Sequence, residues 1–247
     1  MKKITLGLIT LLVMCFLVGC SSSNSSSHYS NANKEIIAEI QQTLDQNDIQ
    51  VLIAFGDNFE AKKSLIQSSE LHSDGLIALC TNPEPMYLDN DTVQSWFEEA
   101  IERTELTAEQ QVQIIKIGEF AYNKILLLNT NLTAEGLVTI CENPGTLNLD
   151  NDTVQSWFEE AIERTELTAE QQIQIIKIGE FAYNRALLLN TNLTAEGLVT
   201  ICENPGTLNL DNATVQSWFK DAIKRTELTA EQKVQIAKSK IQGMGIF

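Results

Sequence analysis

The chain is nearly empty of histidine and short of positive charge. Its 247 residues hold two histidines, and 17 Lys and Arg stand against 33 Asp and Glu. His28 and His72 lie far apart, and no His/Cys cluster has metal-ligand spacing. No Gly-rich phosphate loop occurs, no G-x-S-x-G, and no Ser/His/Asp or Cys/His set. Asp150-Asn151-Asp152 opens like a calcium loop, but Val154 and Gln155 follow where a ligand and a glycine are needed, and Ala213 breaks the pattern in a later copy. These gaps remove the common routes to hydrolysis, phosphoryl transfer and metal chemistry. The expectation is therefore a protein that is not an enzyme and carries no metal or cofactor. The shortage of Lys and Arg speaks against nucleic acid and anionic lipid as partners. After Val18 no apolar run is long enough to span a membrane.

What the chain does have is a repeat. Residues 88–148 and 149–209 differ only at Val112/Ile173, Lys124/Arg185 and Ile125/Ala186. A truncated copy occupies 210–247, and a diverged one fills 33–87 without gaps, so that Cys80-Thr81-Asn82-Pro83 aligns with Cys141-Glu142-Asn143-Pro144. Trp96, Trp157 and Trp218 keep the 61-residue spacing, as do Cys80, Cys141 and Cys202. Self-similarity at a fixed period points to stacked supersecondary units.

One unit, 149–209, reads as three helices. Asp150 is a candidate N-cap for the first, with Leu149 and Val154 at staple spacing. Val154, Trp157, Phe158, Ala161 and Ile162 form an apolar stripe that places the tryptophan in the core. Glu159, Glu160 and Glu163 lie on the other side, with Glu160 and Arg164 spaced as an i, i+4 pair. Thr168 and Gln171 have capping-box spacing and open a second helix running to about Asn190, apolar on most sides. Gly179 inside it costs about 1 kcal/mol relative to alanine, which a close crossing or a kink would explain. Thr194 caps a short third helix that Pro205-Gly206 ends. The expected fold is all-α: about eleven helices in an α-solenoid-like array of 61-residue three-helix repeats. In the last copy Ile176, Ile178 and Phe181 give way to Ala237, Ser239 and Gln242, as expected of a capping repeat, and Glu159 and Glu163 become Lys220 and Lys224.

The first twenty residues stand apart. Lys2 and Lys3 precede an apolar run from Ile4 to Val18, closed by Leu17-Val18-Gly19-Cys20. This segment resembles the signal peptide and lipobox of bacterial lipoproteins. The resemblance implies removal of residues 1–19, lipid on Cys20 and attachment to the cell envelope. With Ser21 next, it implies the outer membrane in a diderm cell, or the outer face of the cell membrane in a monoderm. Residues 20–32 are Ser/Asn-rich and read as a tether with a reach of about 20 Å. Loss of Lys2 and Lys3 moves the formal charge from −16 to −18.

Cys80, Cys141 and Cys202 are expected to be buried and unbridged, because equivalent positions in stacked helices lie about 8–10 Å or more apart. The function expected is binding: a lipid-anchored, acidic helical-repeat protein of the bacterial envelope that holds another protein, its acidity favouring a basic one. Its candidate binding face is Glu98, Glu99 and Glu102 with Glu159, Glu160 and Glu163, which a solvated polar face also explains. Two alternatives are an immunity or inhibitor lipoprotein against a basic toxin or cell-wall hydrolase, and a structural spacer or surface antigen with variable repeat number.

Overall fold

The computed structural model describes residues 59–69 and 71–244, and all regular structure there is helical, with twelve α-helices and one 3-10 turn. The signal segment 1–19, Cys20 with the tether 20–32, and residues 33–58 of the diverged copy lie outside the described residues. The chain divides into two compact units, 1–87 and 88–247.

In the first unit α1 (Phe59–Ile66) packs on α2 (Ser73–Thr81). The buried Lys62 donates from Nζ to the carbonyl oxygens of Asn82 (2.7 Å) and Glu84 at the end of α2. One repeat length on, Asn123 and Asn184 occupy the same position and do the same work with an amide.

The second unit contains α3 (Asp91–Thr104), α4 (Ala108–Ile115), α5 (Phe120–Leu128), α6 (Ala134–Glu142), α7 (Asp152–Arg164), α8 (Ala169–Ile178), α9 (Phe181–Leu189), α10 (Ala195–Glu203), α11 (Ala213–Arg225) and α12 (Ala230–Ala237), then a 3-10 turn at Gln242–Met244. Odd-numbered helices pack on one another in chain order, α3–α5–α7–α9–α11, and even-numbered helices do likewise, α4–α6–α8–α10–α12. Two layers result, joined through pairs such as α4–α5 and α8–α9.

Each 61-residue block therefore holds four helices where the sequence predicts three. The predicted second helix, Thr168 to Asn190, breaks at Gly179, which takes φ +82° as the left-handed C-cap of α8. Only glycine adopts this conformation without steric cost. Glu180 then starts α9, and the chain crosses from one layer to the other. Gly118, at φ +80°, makes the same break between α4 and α5. Both expected reasons for the glycine apply, since Gly206 also lies against its backbone.

The caps are largely as the sequence reads. Thr168 and Gln171 form the predicted capping box, and Thr194 caps α10 through Gly197 N–H. The first helix starts one residue later than expected. Asn151, not Asp150, accepts from Thr153 and Val154 N–H, and Asn90 and Asn212 act alike. Asn and Asp cap equally well, so an Asp-Asn pair leaves the start ambiguous in the sequence.

The core repeats with the sequence. Phe97, Phe158 and Phe219 are fully buried, as are Tyr122 and Tyr183, with Ile114, Ile115, Ile175 and Ile176 from the even layer. Each such side chain contributes about 1.5–3 kcal/mol on burial. Buried Gln111 and Gln172 tie the even helices together. Gln172 Nε2 donates to the Asn192 carbonyl (3.0 Å), and its Oε1 accepts from Thr194 N (2.9 Å) and Oγ1 (2.8 Å); Gln111 repeats this with Asn131 and Thr133.

Candidate interaction surface

The acidic residues singled out in the sequence sit on α3 and α7, which belong to one layer and both pack on α5. Glu98, Glu99, Glu102, Glu160 and Glu163 are exposed. Glu159 is not free: it is half-buried and forms an ion pair with Arg185 Nε at 3.0 Å. Arg185 also donates to Gln155 Oε1 (2.9 Å) and lies 5.8 Å from the Trp218 ring centroid, so it joins α9 to α7 and α11. In the preceding block Lys124 stands at this position and donates to Gln94 Oε1 (3.2 Å). Arginine's planar fork spans two acceptors and stacks on an aromatic ring, where lysine presents a single ammonium.

Arg164 does not pair with Glu160 as its spacing predicts. Its Nη2 donates to the carbonyl oxygens of Leu127 and Asn129 (3.1 Å) at the C-terminus of α5. Arg225 does the same for Leu188 and Asn190 (2.9 Å) at the end of α9. Carbonyls left without partners at a helix end attract a cation. Burial lowers the basicity of both guanidiniums, with Glu160 and Asp221 acting in the opposite sense through their charge. These arginines fasten one block to the next.

The tryptophans are half-buried rather than core. Trp157 packs on Phe120 of the preceding block (centroids 6.4 Å apart), and Trp218 packs on Phe181 (6.2 Å). They lie at the edge of the apolar stripe, where neighbouring odd helices meet, while Phe97 and Phe158, Phe219 beside them point inward. Cys80, Cys141 and Cys202 are buried, and none of them is in a disulfide. Burial pushes the Cys202 thiol up to about 12, with Glu203 adding to the rise, and it raises Cys141 further, with Glu142 adding to the rise. Neither thiol is a thiolate at neutral pH, so neither is an activated nucleophile. Among the described residues no group of three or more His, Cys, Asp and Glu is placed to hold a metal ion, and no helix is long and apolar enough to cross a membrane. Cys20 lies outside the described residues.

Sequence reasoning missed the exposed apolar residues of α5 and α9: Phe120, Leu128 and Leu189. They fall within what reads as one long buried helix. The break at Gly118 and Gly179, which turns one face of α5 and α9 outward, is the signal that locates them. No family model, no curated protein and no solved structure matches the chain.

Proposed function

We propose that this is a lipid-anchored protein of a bacterial envelope whose 61-residue blocks form an α-solenoid-like array that holds a basic partner protein. The observation that carries this reading is the placement of Glu98, Glu99 and Glu102 on α3 and Glu160 and Glu163 on α7, exposed in one layer. Rows of like charge on stacked helices steer a partner of opposite charge and set its register. Equivalent faces in series add avidity to weak single contacts. The lipobox resemblance of Leu17-Val18-Gly19-Cys20 supplies the anchor.

The test has two arms. Cys20→Ala should move the chain from the membrane fraction to the soluble fraction, and persistence in the membrane would remove the lipid anchor from the proposal. A basic cell-wall hydrolase titrated against the chain should bind in a salt-dependent manner, and Glu98→Gln with Glu102→Gln, Glu160→Gln and Glu163→Gln should weaken it. Binding unaffected by the four substitutions would rule out the acidic face. Loss of hydrolase activity on binding would make the protein an inhibitor.

A further inference from the structure

We propose that the outer face of α5 is a docking site for a cationic amphipathic helix, which rests on the reading above and names the chemistry of its partner. Phe120, Lys124 and Leu128 follow one another at i, i+4 and i+8 along α5 and so share one face. Phe120 is 37% exposed and Leu128 38%, whereas Ala121, Tyr122, Ile125, Leu126 and Leu127 are buried. An aromatic and an aliphatic side chain thus stay partly exposed along one face of the helix, between α3 and α7.

Carboxylates border this face on both sides. On α3, Lys124 Nζ touches Gln94 Oε1 at 3.2 Å, so the row next to α5 continues through Glu98 and Glu102, one and two turns further on. On α7, Trp157 touches Phe120 and Arg164 reaches the last carbonyls of α5. Glu160 lies on that same row, between the two. Glu98, Glu102 and Glu160 are all exposed. Packed helices lie about 8–10 Å apart, so the two acidic rows are about 16–20 Å apart, and a helix about 10–12 Å across fits between them.

The occupant follows from the pattern. Its apolar stripe meets Phe120 and Leu128, and lysines or arginines on its flanks meet Glu98 and Glu102 on one side and Glu160 on the other. Helices commonly bind in this way, by anchors at one-turn spacing. An extended polycation would satisfy the carboxylates but not Phe120 and Leu128. An anionic lipid surface would be repelled, and so would this face of a second copy. The corresponding face of α9 offers Phe181, Arg185 and Leu189, the last 43% exposed, but Arg185 already neutralises Glu159 there. The α5 face is therefore the stronger site.

The experiment titrates the full chain by calorimetry with three probes: a Leu/Lys peptide patterned as an amphipathic helix, a scramble of the same composition without helical period, and oligolysine. The patterned peptide should bind at least about tenfold tighter than either control, with affinity falling as salt rises. Leu128→Ser, and separately Glu98→Gln with Glu160→Gln, should each weaken it several-fold, while Leu189→Ser should change it less. Unchanged circular dichroism shows that the variants are folded. Equal binding of patterned and scrambled peptides, or of oligolysine, would overturn the docking site and leave the acidic-face reading standing. Weakening by Leu189→Ser but not by Leu128→Ser would overturn the assignment to α5. No binding of any probe at low salt would overturn both readings.

Discussion

Blocks 88–148 and 149–209 share all but three residues, yet their helices meet differently. The Phe158 and Tyr183 rings lie 4.8 Å apart in the second block, against 5.3 Å for Phe97 and Tyr122 in the first. Asn190 Nδ2 donates to the Ile162 carbonyl at 2.7 Å, and Thr207 donates from N (3.0 Å) and Oγ1 (3.1 Å) to the Gly179 carbonyl. Among the described residues Asn129 and Thr146 make no counterpart bonds. Helix α3 runs one residue further than α7 and ends on Glu105 at φ +46°, whereas Thr165 after α7 is extended. A side chain in that left-handed conformation costs about 1–2 kcal/mol. Two of the three sequence differences explain the closer joint. Tyr183, Ala186 and Asn190 form one row of α9, and the first and last of them touch α7. Ala186 between them is smaller than Ile125, so α9 approaches α7 more closely, and Arg185 beside it bridges the gap. Near-identity of sequence does not make identical joints; one residue on the contacting row resets the distance.

The largest effect is expected where backbones touch. A Cβ on Gly206 would lie 2.2 Å from the Gly179 carbonyl oxygen, and one on Gly145 would lie 2.6 Å from that of Gly118; both glycines have φ near +62°. Gly206→Ala must break the Thr207 bonds to Gly179 as well as take a strained φ, and should cost about 3 kcal/mol or more. Gly145→Ala loses no such bonds and should cost about 2 kcal/mol. Urea unfolding of the two variants checks this, and equal losses would mean that the two turns are equally tight.

These glycines also mark the limit of what the sequence discloses. The all-helical fold is legible in 3.6-residue stripes and in Thr168, Gln171 and Thr194, because caps and amphipathic faces are local. The four-helix block is not, because a single Gly179 in an apolar run reads as tolerated until the tertiary path is known. The motif Thr-x-Leu-Thr-Ala-Glu does occur twice per block, at 165–170 and 191–196, each time leading into an even helix, and it could have exposed the break. The acidic face is legible residue by residue. The pairing of Glu159 with Arg185 is not, since it joins helices 26 positions apart.

Exchanging the row residue tests the joint itself. Ala186→Ile should push α9 away from α7, lose the Asn190–Ile162 hydrogen bond and cost about 1–3 kcal/mol. Ile125→Ala opens a cavity but also lets α5 settle toward α3, so its cost should fall near the low end of the range for such truncations, about 2 kcal/mol. Adding Lys124→Arg should recover part of that loss, because the closer approach lets the arginine reach Glu98 as Arg185 reaches Glu159. A double-mutant cycle reads this as a favourable coupling. Strict additivity would show that these two residues do not set the distance between the helices.

The smallest effect on stability, and the most direct link to binding, comes from Arg185→Lys. The Arg185–Glu159 pair is 29% exposed on each side, and the cation also faces the Trp218 ring. A partly exposed ion pair with a cation–π contact contributes about 0.5–1 kcal/mol, and salt weakens it. The loss on Arg185→Lys should therefore shrink between low and high salt. The same change should leave Glu159 as free as Glu98, because a lysine at this position turns to the glutamine one turn back, as Lys124 turns to Gln94. The α9 face would then match the α5 face, and the chain should take up a second patterned Leu/Lys peptide with affinity close to the first. Lys124→Arg made together with Ile125→Ala should do the reverse and weaken the α5 site. If neither exchange alters peptide binding while both alter stability, the cation at this position serves only to join the helices.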